Sequence, residues 1–198
     1  MPMPRTRRTA EDAREAIRGA AVELFVAGGY GATSLEDIAR RVGLTRQAAL
    51  YHFKTKEDLL RSVVDPYLDE VTRLLDPIEV SELPTAAERR ATLTALVDVL
   101  VAHRGVVSLL SRFTTASTIA GLGPRLVELG TRMRTVLVGP AVATDSAARI
   151  RGYAATAALI GVMSAREEIP LTDPAERLAL IDAVMAMLGA DGERQPGT

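Results

Sequence analysis

The chain has no cysteine and no tryptophan. Among its 198 residues it has only two histidines, His52 and His103, and only two lysines, Lys54 and Lys56. Without cysteine there is no disulfide framework, no thiol nucleophile and no thiolate-bound zinc. Two isolated histidines do not make a metal cluster, so neither a metal nor a cofactor is expected. Aromatics make up 4% of the chain against 47% hydrophobic residues overall, so the core must be aliphatic. No apolar run reaches the ~18 to 20 residues of a membrane span. The arginine-bearing start has no hydrophobic stretch behind it, unlike a secretory signal. No membrane partner is expected, and the lack of cysteine fits a cytoplasmic location. A Gly-rich phosphate loop is missing as well. The one adjacent carboxylate pair, Glu167-Glu168, stands before Ile169-Pro170 at an expected helix end and reads as solvated. No enzymatic activity is expected.

What is present is concentrated in residues 33 to 60, TSLEDIARRVGLTRQAALYHFKTKEDLL. Ser34 is a good N-cap, and Asp37 three residues on completes a capping-box pattern with Asp in place of Glu. Leu35, Ile38, Ala39 and Val42 recur at spacings of three and four, which gives a short helix one apolar face. Gly43 stands where the chain must turn sharply, with Leu44 as the anchor of that turn. Thr45 can cap a second short helix whose first turn is Arg46, Gln47 and Ala48. This is the order of a helix-turn-helix, in which the second helix reads base edges through its N-terminal residues. Arg suits guanine, Gln suits adenine, and a small Ala permits close approach or meets a thymine methyl. Ala49, Leu50 and Phe53 are placed to face inward.

A third helix start follows, with Thr55 and Asp58 as its reciprocal caps. Both lysines flank it. A helix N-terminus with added ammonium groups favours phosphate. Charge divides along the chain in the same sense. Residues 1 to 56 hold 10 Lys+Arg against 6 Asp+Glu, and the rest of the chain holds 14 against 19. One basic end on an acidic remainder suits a chain that offers that end to DNA. Arg5, Arg7 and Arg8 form a basic arm, either a minor-groove or phosphate contact or a solubilising tail.

Residues 11 to 60 resemble the DNA-binding domain of TetR-type (TetR/AcrR) transcriptional regulators. The resemblance rests on Leu24-Phe25, Gly28-Gly29-Tyr30, Thr33-Ser34, Ile38-Ala39, Val42-Gly43, Leu50-Tyr51, Phe53, Lys56 and Leu59-Leu60, and it covers about a quarter of the chain. The family usually carries a small or polar residue where this chain has Ala48-Ala49. The resemblance implies phosphate contacts from Thr33 and Ser34, base-edge contacts from Thr45, Arg46, Gln47 and Ala48, backbone contacts from Tyr51 and His52, and a phosphate on Lys56. The residues alone leave Tyr51 open as a core aromatic and His52 as a solvated or structural histidine.

The expected fold is all-α. A three-helix DNA-binding domain with its basic arm, residues 1–56, is joined to a larger helical effector-binding and dimerisation domain, residues 57–198. The first helix is expected over about 10–27. The next long helix starts near Lys56 and is kinked by Pro66. Residues 76–85 read as a loop. Further helices are expected over about 86–103, 105–117, from 121–124 onward, 144–166 and 173–189, the last opened by Asp173-Pro174. The resemblance implies an effector pocket among the central helices, with Leu109, Arg112, Phe113, Met133 and Tyr153 as candidates and a small hydrophobic molecule as ligand. It also implies a homodimer through the last two helices, with Ala154, Ala158, Gly161, Leu178, Ile181 and Met185 as candidates. Such a dimer would set two reading heads about 34 Å apart on a palindromic operator of double-stranded DNA. The function implied is a repressor released by its effector. An enzyme and a helical interaction protein without DNA binding are the other classes to be weighed.

Overall fold

Capping side chains set most helix starts. Thr9, Ser34 and Thr85 each accept a hydrogen bond from the backbone N–H three residues on. The acids at those positions, Asp12, Asp37 and Glu88, accept from the cap's own N–H in return. Each reciprocal pair satisfies two amides that the helix itself leaves unpaired. Thr45 caps one further helix, while Asp145 and Asp173 cap two more.

The computed structural model describes residues 9–80, 82–112 and 121–189. Among them the helices are α1 (Ala10–Gly28), α2 (Leu35–Arg41), α3 (Arg46–His52), α4 (Lys56–Leu75), α5 (Ala86–Ala102), α6 (Arg104–Arg112), α7 (Leu122–Val138), α8 (Ser146–Ser164) and α9 (Pro174–Leu188). A short 3-10 turn, Pro140–Ala143, links α7 to α8. No strand occurs among the described residues, and the fold is all-α as expected. No single described helix is long and apolar enough to cross a membrane.

The chain divides into two units, Met1–Asp65 and Pro66–Thr198. The division lies inside α4, whereas the boundary expected from sequence stood at its first turn. The helix continues through Pro66 to Leu75.

In the first unit Ile17, Ala21 and Phe25 of α1 meet Ile38 and Ala39 of α2, Ala49 of α3, Phe53, and Leu59 and Leu60 of α4 in one buried core. Gly43 takes φ 72° between α2 and α3, a left-handed value that costs glycine little. The turn it makes is closed by Leu44 N–H donating to Ala39 O at 2.8 Å.

In the second unit the core is aliphatic. Leu93, Leu96 and Leu100 of α5 pack with Leu109 of α6, Leu137 of α7, Leu159 and Met163 of α8, and Val184 of α9. The α5–α6 junction at His103 bends by 84°. Arginines, two of them buried, finish helix ends here. Arg104 donates to Val162 O and Met163 O at the end of α8, each at 2.8 Å, and Ser108 Oγ donates to the same Met163 O. Burial and then the neighbouring Arg166 lower the Arg104 pKa from its ordinary value. Arg89 reaches Gly189 O beyond α9 and Pro84 O. Arg132 donates to Leu75 O and Asp76 O at the end of α4. Helix C-termini carry unpaired carbonyls and partial negative charge, and a guanidinium fork can serve several of them at once.

Candidate nucleic-acid interface and central cavity

The short α3 displays its first turn. Thr45, Arg46 and Gln47 are exposed and Ala48 is half-buried, while Ala49 one position on is wholly buried. Thr45 Oγ1 is occupied in accepting from Ala48 N–H at 3.2 Å, so it serves first as the cap of α3. Tyr51 is 82% exposed, which removes the alternative of a core aromatic. The two aromatics at the end of this helix thus part company: Phe53 is buried and Tyr51 projects outward. The His52 ring is half-buried and meets the Tyr51 ring edge-on at 5.3 Å.

Arg14 holds the far end of α3, a role the sequence reading missed. It lies 4.3 Å over the Phe53 ring and donates to His52 O at 2.9 Å. An arginine on the half-buried flank of a long helix has no sequence signature of such a reach.

Two expected phosphate contacts are engaged inside the protein. Thr33 is 7% exposed, and its hydroxyl lies 2.9 Å from Gly29 O and 3.3 Å from Leu24 O. Its single proton is spent closing the turn after α1 rather than aimed at a phosphate. Lys56 donates to Tyr30 O at 2.8 Å and Thr33 O at 3.0 Å, with its ammonium 4.2 Å over the Tyr30 ring. The Tyr30 hydroxyl in turn donates to Glu57 Oε1 at 3.1 Å. Burial, and then the Glu57 carboxylate, push the Tyr30 phenol well above its ordinary pKa. The matched residues Tyr30, Thr33 and Lys56 therefore form a clamp that sets the start of α2.

Ser34 Oγ is 2.6 Å from Asp37 Oδ2 and also accepts from the Asp37 N–H. The Ser34 hydroxyl, and then the Ser34 backbone N–H donating to the same Oδ2 at 3.0 Å, hold the Asp37 carboxyl below its usual range. Thr33, Ser34, Arg46 and Lys56 nonetheless border one shallow hollow of about 360 Å³ beside the α2 start, with Glu36 on its rim. The hollow gathers residues of the expected phosphate set, and Glu36 opposes an anion there.

A larger cavity, about 400 Å³, lies among α4, α6, α7 and α8 of the second unit. Of the expected ligand residues that are described, only Met133 lines it. Leu109 is fully buried in the core, Arg112 is exposed at the end of α6, and Phe113 lies outside the described residues. Tyr153 is exposed and stacks with Arg134, whose guanidinium is 4.2 Å over the ring. Helical periodicity marks which residues turn inward. It does not separate those that touch a neighbour from those that border a void.

On α8 and α9 the expected dimer residues also divide. Ala154, Gly161 and Leu178 are exposed, and Ala158 and Met185 half-buried. Ile150 and Met187 add exposed apolar surface on the same helices. Ile181 is 2% exposed and belongs to the core with Leu180, Val184 and Leu188, so it is removed from the candidate face.

Comparison with known proteins accords with this geometry. The family model described as "Bacterial regulatory proteins, tetR family" matches residues 17–63. The chain is 42% identical over 60 residues to the HTH-type transcriptional regulator SrpR of Pseudomonas putida, covering 30% of this chain and 28% of that protein. The chain spans less than half the length of the curated relatives it matches. Solved structures extend the likeness to the whole chain. AmtR of Mycobacterium smegmatis is 26% identical, with TM-score 0.67 and 98% of this chain and 92% of that one covered. SCO3833 of Streptomyces coelicolor A3, a member of the TetR transcriptional regulator family, is 25% identical, with TM-score 0.70 and coverage of 98% and 96%. These relatives are named as regulators, not as enzymes. The helix-turn-helix of residues 17–63 is thus matched in sequence by the TetR family of bacterial regulatory proteins, and the fold of the chain is similar to that of solved TetR-family structures.

Proposed function

We propose that the protein is a sequence-specific DNA-binding repressor that acts as a homodimer on a palindromic operator and is released by a small, largely hydrophobic effector. The observation that carries this reading is α3. Its first turn presents Arg46 and Gln47 to solvent, and its far end is pinned through Phe53 and Arg14. A short helix held at one end and polar at the other is built to enter a major groove. The exposed apolar positions on α8 and α9 support self-association, and the 400 Å³ cavity supports a small-molecule effector. To release the operator, that effector must bind better to the arrangement that misfits DNA.

The test is selection of bound duplexes from a random DNA pool by the purified protein at near-physiological salt. Nonspecific phosphate binding fades steeply as salt rises, so what survives is specific. A palindromic motif, lost or relaxed in Arg46→Ala and Gln47→Ala, is the expected result. No motif, with or without candidate effectors present, would overturn the reading and favour a helical interaction protein.

A further inference from the structure

The cavity's wall is mostly apolar, with the hydroxyls of Tyr67, Ser111 and Thr156 and one charge. Leu126, Leu129 and Met133 of α7, Val107 of α6 and Ile160 of α8 make most of it, and Arg134 is the sole charged residue among the described residues that border it. Among the described residues no carboxylate borders the cavity and none pairs with Arg134.

A surface arginine beside a hollow is ordinarily just solvated. This one is fixed in place. Its guanidinium stacks on Tyr153, and its Nη2 donates to Thr131 Oγ1 at 3.1 Å. Two glycines clear its path. A Cβ at Gly152 would lie 3.3 Å from the Arg134 Cβ and Cγ, and a Cβ at Gly130 would lie 3.1 Å from its Nη1. The side chain is thus laid along the groove between α7 and α8, with its conformational freedom already spent and most of its five donors still available. The Tyr67 phenol, also on the wall, is pushed up to about 12 by burial, so it stays a neutral O–H. Thr156 on the same wall donates to Gly152 O and presents no proton inward.

We propose that the cavity binds an amphipathic carboxylate, its apolar body among the leucines and its anionic head on Arg134, and not an uncharged hydrophobe. This rests on the effector-binding reading above and sharpens its ligand class. At roughly 30 Å³ per non-hydrogen atom, the volume suits a molecule of about a dozen such atoms. An uncharged ligand would desolvate the guanidinium and return at most a hydrogen bond to a neutral acceptor, and an ammonium head would be repelled by it. A carboxylate supplies charge-assisted and bidentate hydrogen bonds.

The probes are octanoate, 1-octanol and octylamine, titrated calorimetrically into the full-length protein at pH 7. Octanoate is expected to bind at least about tenfold more tightly than octanol, and octylamine most weakly. Arg134→Gln is expected to bring octanoate down to octanol with little change in thermal melting. Arg134→Lys is expected to keep part of the preference, which guards against a variant that merely unfolds. Equal or tighter octanol binding, octanoate binding unchanged in Arg134→Gln, or no binding of any probe at millimolar concentration would each overturn the inference. DNA selection on the same preparation without probe judges the operator-binding reading separately.

Discussion

Lys56→Met separates two roles for one residue. In the structure its ammonium spends two of three protons on Tyr30 O and Thr33 O and caps the Tyr30 ring. A hydrogen bond involving a charged group is worth about 1.5–3 kcal/mol, and an exposed cation–π contact about 0.5–1. Lys56 is half-buried, so water replaces part of what methionine removes. Methionine also keeps much of the aliphatic stem. The net loss expected is about 1–2 kcal/mol, or roughly 0.5–1 M in urea midpoint at a slope of ~2 kcal/mol per M. Operator affinity should fall with it, because the clamp sets the start of α2. The decisive assay is the salt dependence of that affinity. A direct phosphate contact contributes about 0.9 to the slope of log K against log salt. The clamp reading expects a lower urea midpoint and an unchanged slope. A midpoint equal to wild type with a slope reduced by about 0.9 would refute it and return Lys56 to the phosphate.

Three further outcomes are expected. Arg104→Met should cost about 2–3 kcal/mol by thermal or urea melting, because it strips charged donors from Val162 O and Met163 O in a buried place, and an unchanged midpoint would contradict that assignment. Gly152→Val should cost about 1–3 kcal/mol by the same measure, since its Cβ alone would already stand 3.3 Å from Arg134 and Val138 atoms. Acid should weaken the helix starts. The Ser34 bonds lower the pKa of Asp37, the Thr85 bonds that of Glu88, and the amides of Ala148 and Ala147 that of Asp145, so between the folded and unfolded values the unfolded chain holds more protons. Stability from these groups is present above an ordinary carboxyl pKa near 4 and is lost as pH falls through the lower folded values. Urea midpoints at pH 7 and pH 3 should converge in a combined Asp37→Asn, Glu88→Gln, Asp145→Asn variant relative to wild type.

Caps, turns and periodicity were legible in residue order because they are local. Ser34 with Asp37, Thr55 with Asp58, Gly43 and Asp173-Pro174 each act within one turn of chain, and the structure places every one as read. The same local logic marked Ala49 and Phe53 as inward and Arg46 and Gln47 as outward. Leu178 and Ile181 illustrate where it stops. Both belong to one apolar stripe of α9 in sequence, yet one is exposed and the other buried.

What a helix packs against is decided by the partner elements, and no local signal reports it. The reach of Arg14 to His52 O and of Arg104 to Met163 O spans 38 and 59 residues of sequence. Lys56 read as a phosphate ligand because an ammonium beside a helix start is electrostatically apt, and only the tertiary fold brings Tyr30 O and Thr33 O within its range. The cavity is likewise a property of four helices together, and Arg134 is singled out only once Gly130, Gly152 and Tyr153 surround it. Short-range backbone chemistry wrote the helices and the helix-turn-helix into the sequence. Long-range packing alone decided which polar side chains are spent inside the protein and which are left exposed.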